Sequence, residues 1–243
     1  MKLSIVISVL NSQEVFRRQL LWFQRMDLPD GIEFIFLDDG SDIPLHDAGI
    51  KLKNLTIHPT NDKREWTVEL ARNLGAKMAK GEYLLMTDLD YIIPKASIMA
   101  VYDLKEDKMR FKREFGVLDE NGELKLDFDT LRSYGLLESR IRERGRRMPP
   151  HPNNFVMRKT TFFKLGGYRE DRVGVPYPNG GDSHFKRTWS RAFLAREVTM
   201  CEYSPLLYMF PNGQFCGDVD YNPFGLFHTL SRKSERNRLC RSA

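Results

Sequence analysis

Asp88 and Asp90 stand one residue apart, at the end of Gly81-Glu82-Tyr83-Leu84-Leu85-Met86-Thr87, a run that otherwise reads as a buried strand. In an extended chain, residues two apart point to one side, so the pair would offer its oxygens to one small volume. Like charges held together call for a positive partner between them. A divalent cation such as Mn²⁺ or Mg²⁺ prefers such hard oxygen ligands and keeps positions open for phosphate oxygens. A second acidic pair, Asp38-Asp39, ends Glu33-Phe34-Ile35-Phe36-Leu37 and is followed by Gly40-Ser41. A carboxylate there can accept hydrogen bonds from a base or a ribose. Each motif also has a plain structural reading: surface acids at a solvated strand end, and a turn spelled Asp-Asp-Gly-Ser.

The elements that must position these groups follow from residue pattern. Leu3 to Val9 is β-branched and compact, a parallel-type strand, with Asn11 and Ser12 placed to cap a helix carrying Val15, Leu20, Leu21, Trp22 and Phe23. Pro29-Asp30-Gly31 is a turn before the strand that ends in Asp38-Asp39, and Leu52 to His58 is a short third strand. Glu65 to Lys80 reads as a helix closed by Gly81. Alternation of strands and helices predicts an α/β fold with a mainly parallel, Rossmann-like sheet flanked by helices. In such sheets ligands bind beyond the carboxyl ends of the strands, where Ser8, Asp38-Asp39 and Asp88 with Asp90 converge.

The second half is less regular. Phe115 to Leu126 predicts a hairpin about Asn121-Gly122, Asp129 to Arg144 a helix ending near Gly145, and Asn154 to Met157 a strand. Thr160 to Leu165 predicts a short helix stopped by Gly166-Gly167, and Asp182 to Ala195 a longer one. Hydrophobic order weakens after Pro211, as in a lid or docking segment. The chain thus divides into residues 1–94, whose strand ends converge on a ligand edge, and 95–243, less regular and with a tail, within one domain.

At 243 residues, 41% hydrophobic and 29% charged, the composition is that of a globular protein. Its apolar runs are far too short to span a bilayer, and the N-terminus reads as a strand rather than a signal peptide. Cys201, Cys216 and Cys240 have no metal-type spacing, which favours a reduced, cytoplasmic setting. The net charge of +5 is unevenly spread. Basic residues crowd at Arg140, Arg142, Arg144, Arg146 and Arg147, at Lys186, Arg187 and Arg191, and from Arg232 to Arg241. Such clusters suit a polyanion, whether a nucleoside diphosphate, nucleic acid or an acidic membrane, or else are solvated helix faces.

Several stretches together resemble the family-2 glycosyltransferases of GT-A fold. They are Ser4 to Asn11, Leu37-Asp38-Asp39-Gly40-Ser41, Ala71-Arg72-Asn73-Leu74-Gly75, Gly81-Glu82-Tyr83 leading to Asp88-Leu89-Asp90, Leu165-Gly166-Gly167-Tyr168, and Gly180-Gly181-Asp182. They occur in family order over roughly the first 190 residues. The resemblance implies an inverting, metal-dependent transfer from a nucleotide-sugar, most readily a UDP-sugar. It implies that Asp90 is the firmer ligand of Mn²⁺ or Mg²⁺, with Asp88 on metal or ribose. It places Asp39 at the nucleobase, beside backbone near Ser8 and Leu10, and points Arg72 toward the nucleotide. Trp66 would stack on the base or lie in the core.

On the acceptor side the resemblance makes Asp182, at a helix N-terminus, the base that removes the acceptor hydroxyl's proton. Asp is also a good N-cap, which is the plain alternative. The family usually shows Glu-Asp where this chain has Gly181-Asp182, so one acceptor contact is missing. A late histidine expected near Leu207 to Pro211 is absent, leaving His184 or His228 as a third metal ligand, or none. His151-Pro152-Asn153-Asn154-Phe155 would shape the sugar pocket. The acceptor implied is a glycan or lipopolysaccharide hydroxyl. Alternatives are a hydroxymethylated base in phage DNA, favoured by the basic clusters, and a non-catalytic nucleotide-sugar or glycan-binding module. A nucleotidyltransferase is disfavoured, because no Gly-rich phosphate loop ending in Lys or Arg lies near the first strand.

Overall fold

The computed structural model describes residues 1–64, 67–136, 147–148, 150–173 and 181–211. Expectations placed on Trp66, Arg140 to Arg146, Tyr177 to Gly180, Cys216, Cys240, His228 and the basic tail lie outside these residues.

The central sheet has six strands in the order β3-β2-β1-β4-β11-β6. Here β1 is Leu3–Val9, β2 Ile32–Asp38, β3 Leu55–Pro59, β4 Tyr83–Asp88, β6 Lys108–Arg110 and β11 Phe155–Arg158. The first four run parallel, and β11 is antiparallel to both β4 and β6. Parallel central strands are covered on both faces, which is why β1 and β2 are mainly apolar, with buried Ser4 and Glu33 hydrogen-bonded to each other. Ile5 and Ile7 join the core on one face, where α1 (Gln13–Gln24) packs Phe16 edge-on against Phe36 and Phe23 against Phe34. Val6, Leu84 and Met86 point to the other face, under α2 (Val68–Met78). There Gly75 allows the helix to lie directly on the sheet, since a Cβ at that position would fall 2.4 Å from Val6 Cγ1 and 2.8 Å from Leu37 Cδ2.

A second sheet, β10-β7-β12-β5, joins Arg147–Met148, Lys112–Phe115, Leu206–Met209 and Tyr91–Ile92. The predicted hairpin forms as β8 (Val117–Leu118) and β9 (Leu124–Lys125). Of the remaining helices, α3 is Lys95–Met99, α4 Phe128–Ser133, α5 Lys159–Lys164 and α6 Gly181–Leu194. Among the described residues no helix is long and apolar enough to cross a membrane.

Two local expectations are corrected. Ser12 occupies the N-cap of α1, but its hydroxyl donates to the Leu10 carbonyl rather than capping a helix amide. Asn11 instead ties its loop to the next one, accepting from Asp42 N at 2.7 Å and donating its own amide to Ser41 Oγ at 2.8 Å. The helix expected from Asp129 stops at Ser133, because Gly135 turns left-handed at φ +85° and its amide returns to Arg132.

Candidate active site

The parallel strands deliver the expected groups to one edge. Ser8, near the end of β1, lies in register with Leu37 on one side and Asp88 on the other, and Val9 pairs with Asp38. The two acids ending β2 divide the work. Asp38 builds the following turn, accepting from the amides of Ser41 and Leu45 at 2.9 Å each. Asp39 is only 2% exposed, and its carboxylate accepts from Thr67 Oγ1 at 2.8 Å. Its amide donates to Val9 O at 2.7 Å, next to Leu10. Asp39 thus links the edge of β1 to the residue that opens α2.

The Asp-x-Asp is not one extended strand. Strand β4 ends at Asp88, Leu89 and Asp90 form a turn, and Tyr91 enters β5 in the second sheet. The extended-chain geometry expected to put both on one side is therefore absent, and Asp90 lies in a turn that follows Asp88. That turn is clamped from both flanks. Gln19 of α1 donates its side-chain amide to Leu89 O at 3.1 Å and Tyr91 O at 2.9 Å, and Phe210 N donates to Asp90 O at 2.9 Å. Both carboxylates act on the Tyr91 hydroxyl, whose pKa is raised first by burial and then by Asp90 and Asp88.

Arg72 is the pivot of the site. It is 1% exposed, donates Nη2 to Asp88 Oδ1 in a short charge-assisted bond, and sits over the Tyr168 ring with 5.6 Å from Cζ to the ring centroid. Burial works against its charge, but Asp88, Tyr168, Glu69 and Asp182 outweigh this and hold its pKa above the ordinary guanidinium range. Its Nε and Nη1 are buried with no hydrogen-bond partner among the described residues, as are the Tyr168 hydroxyl and Asn154 Nδ2. Burial pushes the Tyr168 phenol up to about 12, Arg72 only partly offsetting it. Buried groups of this kind are normally satisfied, and the Arg72 guanidinium over the Tyr168 ring leaves a desolvated positive charge behind Asp88.

The neighbouring Asn73 joins two motifs that sequence left separate. Its Nδ2 donates to Tyr168 O at 2.8 Å and its Oδ1 accepts from Tyr168 N at 3.0 Å. The Gly-Gly-Tyr loop is thereby fixed to α2, and Tyr168 with it.

Asp182 lies in the first turn of α6, half-buried, with Oδ2 3.4 Å from Asn153 Nδ2 and Oδ1 accepting from Ser183 N at 2.6 Å. Its charge is felt by Arg72, Tyr168 and His151, so the structure brings it to the same cluster as Asp88. One member of that cluster, Glu69, was not singled out by sequence, and another, His151, was expected only to shape the pocket. Glu69 of α2 is buried and accepts from Gly181 N at 3.1 Å. Burial raises its pKa, with Arg72 opposing and Asp182 adding to the shift. His151, assigned no chemistry beforehand, stacks on Tyr91 with centroids 6.5 Å apart. Burial lowers its pKa, Asp88 and Asp182 pulling upward and Arg113 and Arg72 downward. The position of Glu69 carries no sequence signal, since a glutamate in a helix is ordinary. For His151, the signal is its place in the His151-Pro152-Asn153-Asn154-Phe155 stretch, which the family resemblance links to the shape of the pocket.

The donor set at Asp88 and Asp90 fits a hard divalent cation held by one or two carboxylates, with the rest of its shell from phosphate and water. It does not fit a cage made by protein alone. Among the described residues no group of three or more His, Cys, Asp or Glu gathers around a metal position, so His184 does not complete one there. Instead His184 lies one turn from Thr188, whose hydroxyl is 3.5 Å from Nδ1. The basic residues Lys186, Arg187 and Arg191 are exposed on α6, a solvated helix face.

Comparison with known proteins places this arrangement. No curated protein matches the chain. Among solved structures, that of S. aureus TarS 1–349 superposes with a TM-score of 0.56 at 15% identity, covering 86% of this chain and 60% of that one. TarS 1–349 in complex with UDP-GlcNAc gives 0.55 at 15% identity, covering 93% and 63%. The mannosyltransferase PcManGT from Pyrobaculum calidifontis, in complex with GDP-Man and Mn²⁺, gives 0.53 at 15%, covering 88% and 58%. The chain therefore spans about three-fifths of these neighbours, and at such identity they share its fold, a mainly parallel sheet flanked by helices. The model of the family described as "Glycosyltransferase like family 2" matches residues 4–179, most of the chain, and to that family the protein belongs.

Proposed function

We propose that the protein is an inverting, metal-dependent glycosyltransferase that moves a sugar from a nucleotide-sugar, a UDP-sugar foremost, to an acceptor hydroxyl of a glycan or lipopolysaccharide. The observation that carries this reading is the Arg72–Asp88 pair, set between the buried Asp39 and the half-buried Asp182 at the carboxyl ends of parallel strands. Asp39, with the backbone around Ser8 and Leu10, lines the nucleoside end. Arg72, buried behind Asp88, supplies a fixed positive charge that favours the anionic donor. Asp88 and Asp90 hold the cation, which when bound neutralises charge on the departing diphosphate. Asp182 takes the proton from the acceptor oxygen as that oxygen attacks the anomeric carbon opposite the leaving group, so the new bond has inverted configuration. Asn153, which contacts Asp182, helps to orient it.

The structural neighbours support the donor class, because they are described with UDP-GlcNAc and with GDP-Man and Mn²⁺. The test is turnover of a nucleotide-sugar panel, with and without Mn²⁺, by wild type and Asp90→Ala. Transfer or donor hydrolysis that needs both the metal and Asp90 is the expected outcome. Equal rates in all four conditions would remove the metal role. Donor binding with zero turnover on a broad acceptor panel would favour the non-catalytic module.

One observation keeps a second acceptor in view. The exposed Lys186, Arg187 and Arg191 follow Asp182 on α6 and would suit the phosphates of a hydroxymethylated DNA. No retention of such DNA at low salt would eliminate it.

A further inference from the structure

We propose that Glu69 is a positioning residue for Asp182, reaching from α2 to hold the first amide of α6 and so fixing where that acid stands. The proposal rests on the reading of Asp182 as the base. Glu69 is 6% exposed, and its Oε1 accepts from Gly181 N at 3.1 Å. The first amides of a helix have no partner inside it, and an anion is favoured at that end. The first amide of α6 takes this anion from another helix.

Gly181 is what makes the approach possible. A Cβ at that position would fall 2.8 Å from Glu69 Cγ, 3.3 Å from Cδ and 3.4 Å from Oε1. The volume beside the start of α6, which a side chain at position 181 would occupy, is filled by the carboxylate of Glu69. The acid absent from position 181 is thus replaced in space by one from α2.

The arrangement does more than end a helix. Glu69 and Arg72 are three apart and share one face of α2. Arg72 grips Asp88, and Glu69 grips the residue before Asp182. One rigid helix therefore sets the separation between the donor-side carboxylate and the proposed base. The carboxylate at position 69 also faces the buried Arg72 and helps to compensate its charge, so it serves both ends of this arrangement.

The test uses the full 243-residue chain. Glu69→Gln keeps an acceptor on the same stem but removes the charge, Glu69→Ala removes both, and Gly181→Ala puts a methyl into the Glu69 stem. Two readouts are taken: the Gly181 amide signal in ¹H–¹⁵N NMR against pH, and UDP-GlcNAc hydrolysis as kcat and donor KM. In wild type the Gly181 amide should follow a protonation step that vanishes in Glu69→Gln. Glu69→Ala should lower kcat by about 10–100-fold, as small misplacements of a reacting group do, with donor KM within about twofold. Glu69→Gln should recover part of that loss and change the pH profile of kcat. Gly181→Ala should lose activity, and Glu69→Ala combined with it should fold better than Gly181→Ala alone. An amide indifferent to Glu69→Gln, or a kcat unchanged in Glu69→Ala, would overturn the role. If UDP-GlcNAc is inert, the donor that the panel identifies replaces it. Wild type that turns over no donor at all would overturn the proposed function instead, while the amide signal still judges the contact between the helices.

Discussion

Asp88→Asn should unfold the protein earlier than Asp90→Asn, although both should abolish metal-dependent turnover. Arg72 is a fully buried cation, and Asp88 is the carboxylate that receives its Nη2. Removing one partner of a buried pair costs about 3–5 kcal/mol, because the other charge is left uncompensated. Here the figure must be reduced. The Asp88 side chain is 34% exposed, an amide still offers Nη2 an oxygen, and Glu69 and Asp182 remain nearby. A loss of about 1.5–3 kcal/mol is expected, or roughly 4–10 °C in melting temperature for a chain of this size. Asp90→Asn leaves the Arg72 pair and the Phe210–Asp90 backbone bond in place, and should cost less than half as much. The assay is thermal unfolding of wild type, both single variants, Arg72→Met and Asp88→Asn/Arg72→Met, without metal or nucleotide. The two changes should be non-additive, the double variant regaining part of what Asp88→Asn loses. If Asp88→Asn melts no earlier than Asp90→Asn, or the cycle is additive, Asp88 does not carry the buried charge of Arg72.

Two further outcomes follow from the packing. Lys108 is 2% exposed, with Nζ 3.5 Å from the Trp189 ring centroid and 4.4 Å from that of Phe155, and no hydrogen-bond partner among the described residues. Burial, and then Arg110, depress its pKa well below the ordinary lysine value. Between that lowered value and the unfolded value of about 10.4, the unfolded chain binds the extra proton, so stability should climb as pH rises through this window. Lys108→Met should flatten that slope and raise stability by about 1–3 kcal/mol at neutral pH, read by urea unfolding at several pH values; a destabilised variant would refute it. Gly75→Ala drives a methyl into Val6 and Leu37 beneath α2 and should cost about 1–3 kcal/mol, whereas a neutral melting curve would mean the helix can lift off the sheet freely.

Sequence reading reached the parts of the fold where local pattern and burial agree. Strands β1, β2 and β4 are mainly apolar because both faces are covered, and their polar ends gather at one edge of the sheet. The strands of the second sheet are two to four residues long and hold charged side chains such as Arg113 and Glu114. Their existence depends on distant pairing, Tyr208 with Ile92 and Glu114, which no local window contains. Asp39, Arg72, Asp88 and Asp182 were legible as site candidates, since each ends a strand or sits in a helix with a recognisable neighbour. Glu69 was not, because its meaning comes from a glycine 112 residues later. The geometry assumed for Asp88 and Asp90 failed for a related reason: strand pairing, not strand propensity, decides where β4 stops.

That stopping point has a mechanical consequence. Asp88 is the last residue of β4 in the large sheet, and Asp90 directly precedes β5 of the small one. The two acids therefore belong to different sheets, and removing the Gln19 side chain that clamps the turn would loosen the joint between those sheets without touching either carboxylate.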